Sequence, residues 1–167
     1  MEPTSYHQLG FFVAKFQRFE DGVSDLMRLL AKADDEMVNI LINELEYSKR
    51  LKTVDVLFSR FLAVRKGSFE EQIAEFHKLM TDLQKLGERR NELVHSKYTD
   101  WQNVEGRQGL LRESSKLRSS KGEREEVEES LMPEDFQSDF ALIGQVAQRL
   151  ESFRLKIIDW IYLDMDA

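Results

Sequence analysis

Hydrophobic residues recur at three- and four-residue steps along most of the chain, with polar residues between them. This spacing is typical of an α-helix that buries one face, because such steps return to the same side of the helix. The pattern predicts four long amphipathic helices, at about residues 5–32, 34–65, 68–98 and 133–162. It weakens around Ser48–Arg50, where we expect a kink or a split in the second helix.

Residues 99–131 interrupt this pattern. The apolar periodicity is lost there, and glycines occur at positions 106, 109 and 122. Trp101–Val104 and Leu110–Ser114 are predicted as the two strands of a small β-hairpin. The segment also carries a run of basic side chains, which are Arg107, Arg112, Lys116, Arg118, Lys121 and Arg124. We therefore treat residues 99–131 as a basic insert between the third and fourth helices.

Four amphipathic helices cannot each bury an apolar face alone, so they are expected to share one core. Short connections favour antiparallel neighbours, and only the insert forms a long connection. The sequence thus predicts an all-α fold, an antiparallel four-helix up-and-down bundle with the insert between helices 3 and 4. All of residues 1–167 would belong to one domain, which is long enough to bury a core.

Composition and charge exclude several classes of protein. The chain has no cysteine, which excludes disulfides, thiolate zinc sites and cysteine nucleophiles. Its net charge of −7 argues against a protein that coats nucleic acid. The three histidines are scattered, so no metal site and no cofactor is predicted. With no signal-peptide pattern and no apolar run of ~18 residues, we expect a cytoplasmic protein without a membrane partner.

The candidate chemistry lies in Glu88–Tyr98, at the end of the third predicted helix. Arg90, Asn91 and His95 form an R-N-x-x-x-H string, in which Asn91 and His95 share a helix face. Five apolar residues lie within about 60° of Arg90 on this helix, namely Leu79, Leu83, Leu86, Leu93 and Val94. A guanidinium in an apolar stripe is costly unless an anion pairs with it. Either a structural carboxylate or a functional anion would satisfy Arg90.

The segment R-N-E-L-V-H at 90–95, late in the third of four long helices, resembles the R-x(4–6)-H signature of HEPN domains. The resemblance in helix pattern covers roughly residues 5–98 and 133–162. It implies a HEPN-like homodimer in which the motif helices of two subunits face each other. It also implies a metal-independent endoribonuclease, of the kind that serves as a toxin or a phage-defence effector.

The motif residues suit such chemistry by their own properties. Histidine titrates near neutral pH, so His95 can accept a proton from the RNA 2′-OH or donate one to the leaving oxygen. Arg90 offers several N–H donors to a phosphate, and Asn91 can orient His95 or the phosphate. One chain supplies one motif histidine, so a composite site in a two-fold dimer would supply two.

Further residues complete the predicted site. Arg107, Arg112, Lys116 and Arg118 of the insert are candidates for binding RNA. Some HEPN toxins are silenced by a nucleotidyltransferase partner that modifies a tyrosine two residues after the histidine. That position is Lys97 here, and Tyr98 follows it, so Tyr98 is the candidate for such a modification. An antitoxin or a nucleotidyltransferase is therefore an expected partner, beside RNA and a second copy of the chain.

Two other functions remain open from the sequence. The first is a catalytically inactive HEPN module that binds RNA, a nucleotide or a protein partner. The second is a helical scaffold, in which Arg90 forms a structural ion pair and His95 serves the C-terminal end of its helix. The acidic net charge favours these two functions, whereas the cation in the apolar stripe favours a HEPN site.

Overall fold

The computed structural model describes all of residues 1–167 and contains both α-helices and a β-sheet. The helices are α1 Ser5–Ala31, α2 Asp35–Asn43, α3 Tyr47–Ala63, α4 Glu70–Val94 and α5 Gln137–Met165. The strands are β1 Lys97–Gln102, β2 Gln108–Arg118 and β3 Glu123–Leu131. The predicted all-α fold, a four-helix up-and-down bundle, is therefore wrong, because most of the insert forms a sheet.

The helices follow the predicted apolar pattern. The expected split of the second helix is present at residues 44–46, slightly before Ser48–Arg50, and it separates α2 from α3. Asp34 caps α2 by accepting hydrogen bonds from the backbone N–H groups of Glu36 and Met37. The predicted third helix ends at Val94, and residues 97–98 already belong to β1. None of the helices combines the length and the apolarity that crossing a membrane requires.

The sheet is an antiparallel meander in the order β1-β2-β3. A hairpin is present and turns near Gly106. Its first strand, β1, begins at Lys97, and its pairing with β2 ends at Gln102 and Gln108. The third strand, β3, was not predicted at all. Leu110 and Leu131 pair across β2 and β3 and are buried, whereas most other residues of these strands are polar. In β3 exposed and half-buried residues alternate, but most of them are polar, so the apolar alternation from which strands are recognised is absent.

We call residues Ser114–Val127 the ribbon. Its two strands pair only with each other, since β1 reaches along β2 no further than Glu113. A short 3₁₀ turn at Ser119–Lys121 closes it, and Gly122 follows with a φ of 62°, which glycine adopts without strain. Leu117 in the ribbon is 82% exposed. The ribbon thus stands apart from the apolar base that Leu110 and Leu131 form.

The chain divides into two compact units. The first unit comprises Met1–Lys15 and Glu88–Ile143 and contains the sheet together with the end of α4. Its buried side chains include Phe12, Leu93, Leu110, Leu131 and Phe136. Ser5, at the start of α1, donates a hydrogen bond from Oγ to the carbonyl of Leu131 at 2.9 Å. This unit holds every residue of the predicted site.

The second unit comprises Phe16–Gly87 and Gly144–Ala167. Phe58, Phe76 and Phe153 form its aromatic centre, with ring centroids 4.0 Å apart for Phe58 and Phe76 and 5.1 Å apart for Phe76 and Phe153. The α3 and α4 helices approach closely where Tyr47 lies over Gly87, and the Tyr47 hydroxyl donates to the carbonyl of Leu83 at 3.0 Å. Burial raises the pKa of Tyr47, as expected for a phenol removed from water.

Candidate functional site

The R-N-x-x-x-H residues lie at the C-terminal end of α4. The backbone N–H of His95 donates to the carbonyl of Asn91 at 3.0 Å, so the helical path continues through this turn. The side chains of Asn91 and His95 are exposed, and Arg90 is half-buried. Arg90 donates from Nη1 to Oδ1 of Asn91 at 3.1 Å. The structure thus brings Arg90 and Asn91 into contact and places His95 one helical turn further on.

His95 borders a cavity of about 300 Å³ beside the sheet. The other residues of its lining are Lys97, Glu113, Ser114, Ser115, Arg124, Glu126, Val127 and Glu128. Lys97 and Arg124 contribute positive charge, and three glutamates contribute negative charge. The cavity therefore combines one imidazole with both signs of charge, and it lies where the ribbon begins.

Two guanidiniums of this unit meet at one carboxylate, the half-buried one of Arg89 and the buried one of Arg112, which the sequence did not single out as a pair. Both bind Glu129 of β3. Arg89 does so through two hydrogen bonds of 2.9 and 3.0 Å, and Arg112 through one of 2.6 Å from Nε. Arg89 also approaches Asp139 of α5, with its Nε 3.4 Å from Oδ2. Four elements, α4, β2, β3 and α5, are joined by this charge cluster.

The carboxylates of the charge cluster titrate differently. Burial works against the ionised form of Glu129, but hydrogen bonds from Arg89 and Arg112 outweigh it and lower the pKa of Glu129. For Asp139, burial outweighs the attraction of Arg89 and raises the pKa. Glu129 is therefore the anion that is best stabilised by the cluster, and Asp139 is a weaker partner.

Arg112 also holds the end of the motif helix. Its Nη1 lies 3.1 Å from Ser96 Oγ and 3.5 Å from the carbonyl of Glu92, and Ser96 Oγ itself donates to that carbonyl. A cation at this place is favourable because the last carbonyls of a helix carry partial negative charge. The arginine of β2 thus orders the turn that presents His95.

The four candidates for RNA binding are not brought together on one surface. Arg112 is 4% exposed, so its guanidinium serves the charge cluster and cannot meet a phosphate without leaving it. Lys116 lies 3.7 Å from Glu92, and Arg118 binds Glu125 at 2.5 Å within the ribbon. Arg107 pairs with Glu134 at 2.7 Å. Each of these cations already faces a carboxylate.

Tyr98, the candidate for modification, is half-buried in β1. Its hydroxyl donates to the carbonyl of Leu93 at 2.7 Å, and burial is the main cause that raises the pKa of this phenol. A hydroxyl held in this way is a poor nucleophile because it is protonated and already engaged. A modifying enzyme would have to displace it from the end of α4.

Sequence reasoning missed Arg89, Glu129 and Asp139. One signal was available, because Arg89 directly precedes Arg90 and lies about 100° from it, beside the apolar stripe. The partner could not be found in this way, since Glu129 is 40 residues away and meets Arg112 only through the register of β2 and β3. No group of three or more histidine and acidic side chains comes together to hold a metal ion.

The chain was also compared with known proteins. No family model, no curated protein and no solved structure matches it.

Proposed function

We propose that the protein is a metal-independent endoribonuclease of the HEPN type, acting as a homodimer. The observation that carries this proposal is the arrangement of the R-N-x-x-x-H motif on an exposed helix end. Asn91 and His95 are accessible, and the hydrogen bond from Arg90 fixes the amide of Asn91. An RNA phosphate can approach these groups without displacing buried side chains.

The proposed reaction is a transesterification. Neutral His95 removes the proton of the 2′-OH, and the 2′ oxygen forms a bond to the neighbouring phosphorus. The bond from phosphorus to the 5′ oxygen breaks, and that oxygen takes a proton from protonated His95 of the partner subunit. The products are a 2′,3′-cyclic phosphate and a 5′-OH, and no external oxidant or metal is consumed.

The positive charge for the phosphate would come from Arg90 and from the exposed Lys97, which follows His95 by two residues and lines the same cavity. Arg90 can donate two N–H groups to phosphoryl oxygens, whereas Lys97 acts as a mobile point charge. Arg112 has a different role in this proposal, because it orders the end of α4 and does not touch the substrate.

Incubation of the purified protein with total RNA in excess EDTA tests the proposal. We expect the wild type to cleave RNA to fragments with 2′,3′-cyclic phosphate ends, and His95→Ala to lose at least about 100-fold in rate. His77→Ala is the matched control, because His77 is an exposed histidine of the same helix, and it should cleave as the wild type does. Absence of cleavage by the wild type, or equal cleavage by His95→Ala, refutes the nuclease.

A specific observation favours a second function, that of an inactive HEPN module which binds a partner. Glu113, Glu126 and Glu128 line the cavity beside His95, and carboxylates repel an RNA backbone. The module would then bind a protein, such as an antitoxin or a nucleotidyltransferase. Binding of such a partner without RNA cleavage, lost in Glu113→Gln/Glu128→Gln, would support this function over the nuclease.

A further inference from the structure

The short helix α2 carries apolar residues on two sides, one buried and one exposed. Val38 and Ile42 point inward and are 4% and 5% exposed. Met37, Ile40 and Leu41 point outward, with exposures of 65%, 59% and 65%. These three residues follow the i, i+3, i+4 spacing, so they form one continuous strip on the helix surface. We call Met37, Ile40 and Leu41 the α2 strip.

Single exposed apolar residues need no explanation, but a contiguous strip does. The inward face already anchors α2, and Asn39 adds a polar anchor by accepting a hydrogen bond at 2.8 Å from Nε of Arg28 in α1. The outward residues keep more than half of their surface exposed, so they contribute little to the packing of the helix within the chain. A rigid helix that presents three large apolar side chains to water is a preformed surface for another molecule.

The charges around the α2 strip identify the kind of partner. Residues 33–48 contain five acidic residues and no lysine or arginine, the acidic ones being Asp34, Asp35, Glu36, Glu44 and Glu46. A second α2 would bring the same negative charges into contact, which is unfavourable. A partner with lysine or arginine beside its apolar residues would instead be attracted.

The size of the α2 strip also argues against self-association. Three partly exposed side chains amount to on the order of 300 Å², whereas a stable interface buries roughly 800 Å² on each partner. A single amphipathic helix matches the smaller area, because its own apolar row can pack along a nine-residue helix. Met37 adds a flexible side chain that adapts to different apolar partners.

We propose that the α2 strip is a docking site for a basic amphipathic helix of another protein. The apolar row of that helix would cover Met37, Ile40 and Leu41, and its lysines or arginines would face the acidic residues at both ends of α2. This site does not depend on the R-N-x-x-x-H motif, so it stands whether or not the protein cleaves RNA.

The test uses a defined probe, a fluorescently labelled helical peptide of leucine and lysine with the apolar residues on one face. We expect it to bind the wild type, and to bind Ile40→Ser/Leu41→Ser at least tenfold more weakly. Val56→Ser is the matched control, because Val56 is 69% exposed on α3, and it should bind the peptide as the wild type does. Circular dichroism would verify that both variants keep their helices.

A second peptide, with glutamate in place of lysine, tests the charge argument, and it should not bind. Equal affinity of the wild type and the double variant for the leucine–lysine peptide overturns the proposal. So does equal binding of the glutamate peptide. A peptide-free dimer that the double variant abolishes would also overturn it, since the occupant of the strip would then be a second copy of the chain.

Discussion

Glu129 is a single carboxylate that two arginines share. Arg112 has a side chain that is only 5% exposed, and Glu129 is the carboxylate that its Nε contacts. A buried guanidinium without a carboxylate is costly, so the consequence of removing Glu129 is larger than the strength of the ion pair itself. The contribution of Glu129 to the stability of this unit therefore depends on two arginines, Arg89 and Arg112, that are distant from it in the sequence.

We expect Glu129→Gln to lower the free energy of unfolding by about 2 kcal/mol, a value reduced from that of a fully buried pair because Glu129 retains some exposure. The matched control is Glu128→Gln, an adjacent and exposed glutamate, which should change stability by less than about 0.5 kcal/mol. Urea denaturation of the three proteins measures both effects. Equal midpoints for the two variants would show that the charge cluster contributes nothing.

A comparison of the wild type with Glu129→Gln also gives the pH dependence of the charge cluster. Because folding lowers the pKa of Glu129, its stabilisation is fully present above the unfolded value of about 4.3 and is lost as the pH falls through the folded pKa. The difference in stability between wild type and Glu129→Gln should therefore shrink on acidification below about pH 4. Asp139, whose pKa is raised, contributes with the opposite sign and stabilises the fold less as the pH rises above about 3.9.

At the scale of elements, the apolar period predicted the helices and failed for the sheet. Residues such as Phe58 and Phe76 recur at helical steps because they face a core. In β3, by contrast, Glu125, Val127 and Glu129 alternate with Arg124, Glu126 and Glu128, and most of these side chains meet water. The sequence predicted that His95 lies at the end of a helix. Its neighbours on the strands could not be predicted, because they depend on a strand register that the sequence does not reveal.

The packing of α3 on α4 depends on the absence of a side chain at Gly87. A Cβ at this position would lie 2.6 Å from Cε1 of Tyr47, whose ring also packs on Phe16 at 5.0 Å between centroids. We expect Gly87→Ala to destabilise the protein by about 1–3 kcal/mol, because the tyrosine is held and cannot withdraw freely. Thermal denaturation measures this change.

Gly144→Ala is the control for that substitution. Gly144 also lies within a helix, but no atom is close to the position of its Cβ. Alanine there should raise stability by about 0.5–1 kcal/mol through helix propensity alone. If both alanine variants were stabilised, close packing of Tyr47 on Gly87 would be excluded.

For the molecule as a whole, the proposed nuclease requires two chains. Val94 lies beside His95 at the end of α4 and is 42% exposed, although it is apolar. A two-fold contact between motif helices would cover it and would bring the second histidine to the site. The net charge of −7 opposes such an association at low salt, so the contact must gain its stability from apolar burial.

Sedimentation equilibrium should therefore give twice the chain mass of 19.7 kDa for the wild type. Val94→Arg should shift the protein to the monomer and reduce RNA cleavage in parallel, because a charge at this contact is costly to bury. Leu117→Arg, an exposed apolar position in the ribbon, is the matched control and should remain a dimer. A wild type that cleaves RNA as a monomer would exclude the composite site.

The ribbon can change in length without altering the pairing at the base of the sheet. Its strands pair residue by residue, from Ser114 with Val127 outward to Arg118 with Glu123. Deleting or adding two residues on each strand would preserve which side every remaining side chain faces. Insertions and deletions at the tip can therefore accumulate in matched steps, while the pairing of Arg112 with Glu129 at the base stays in register.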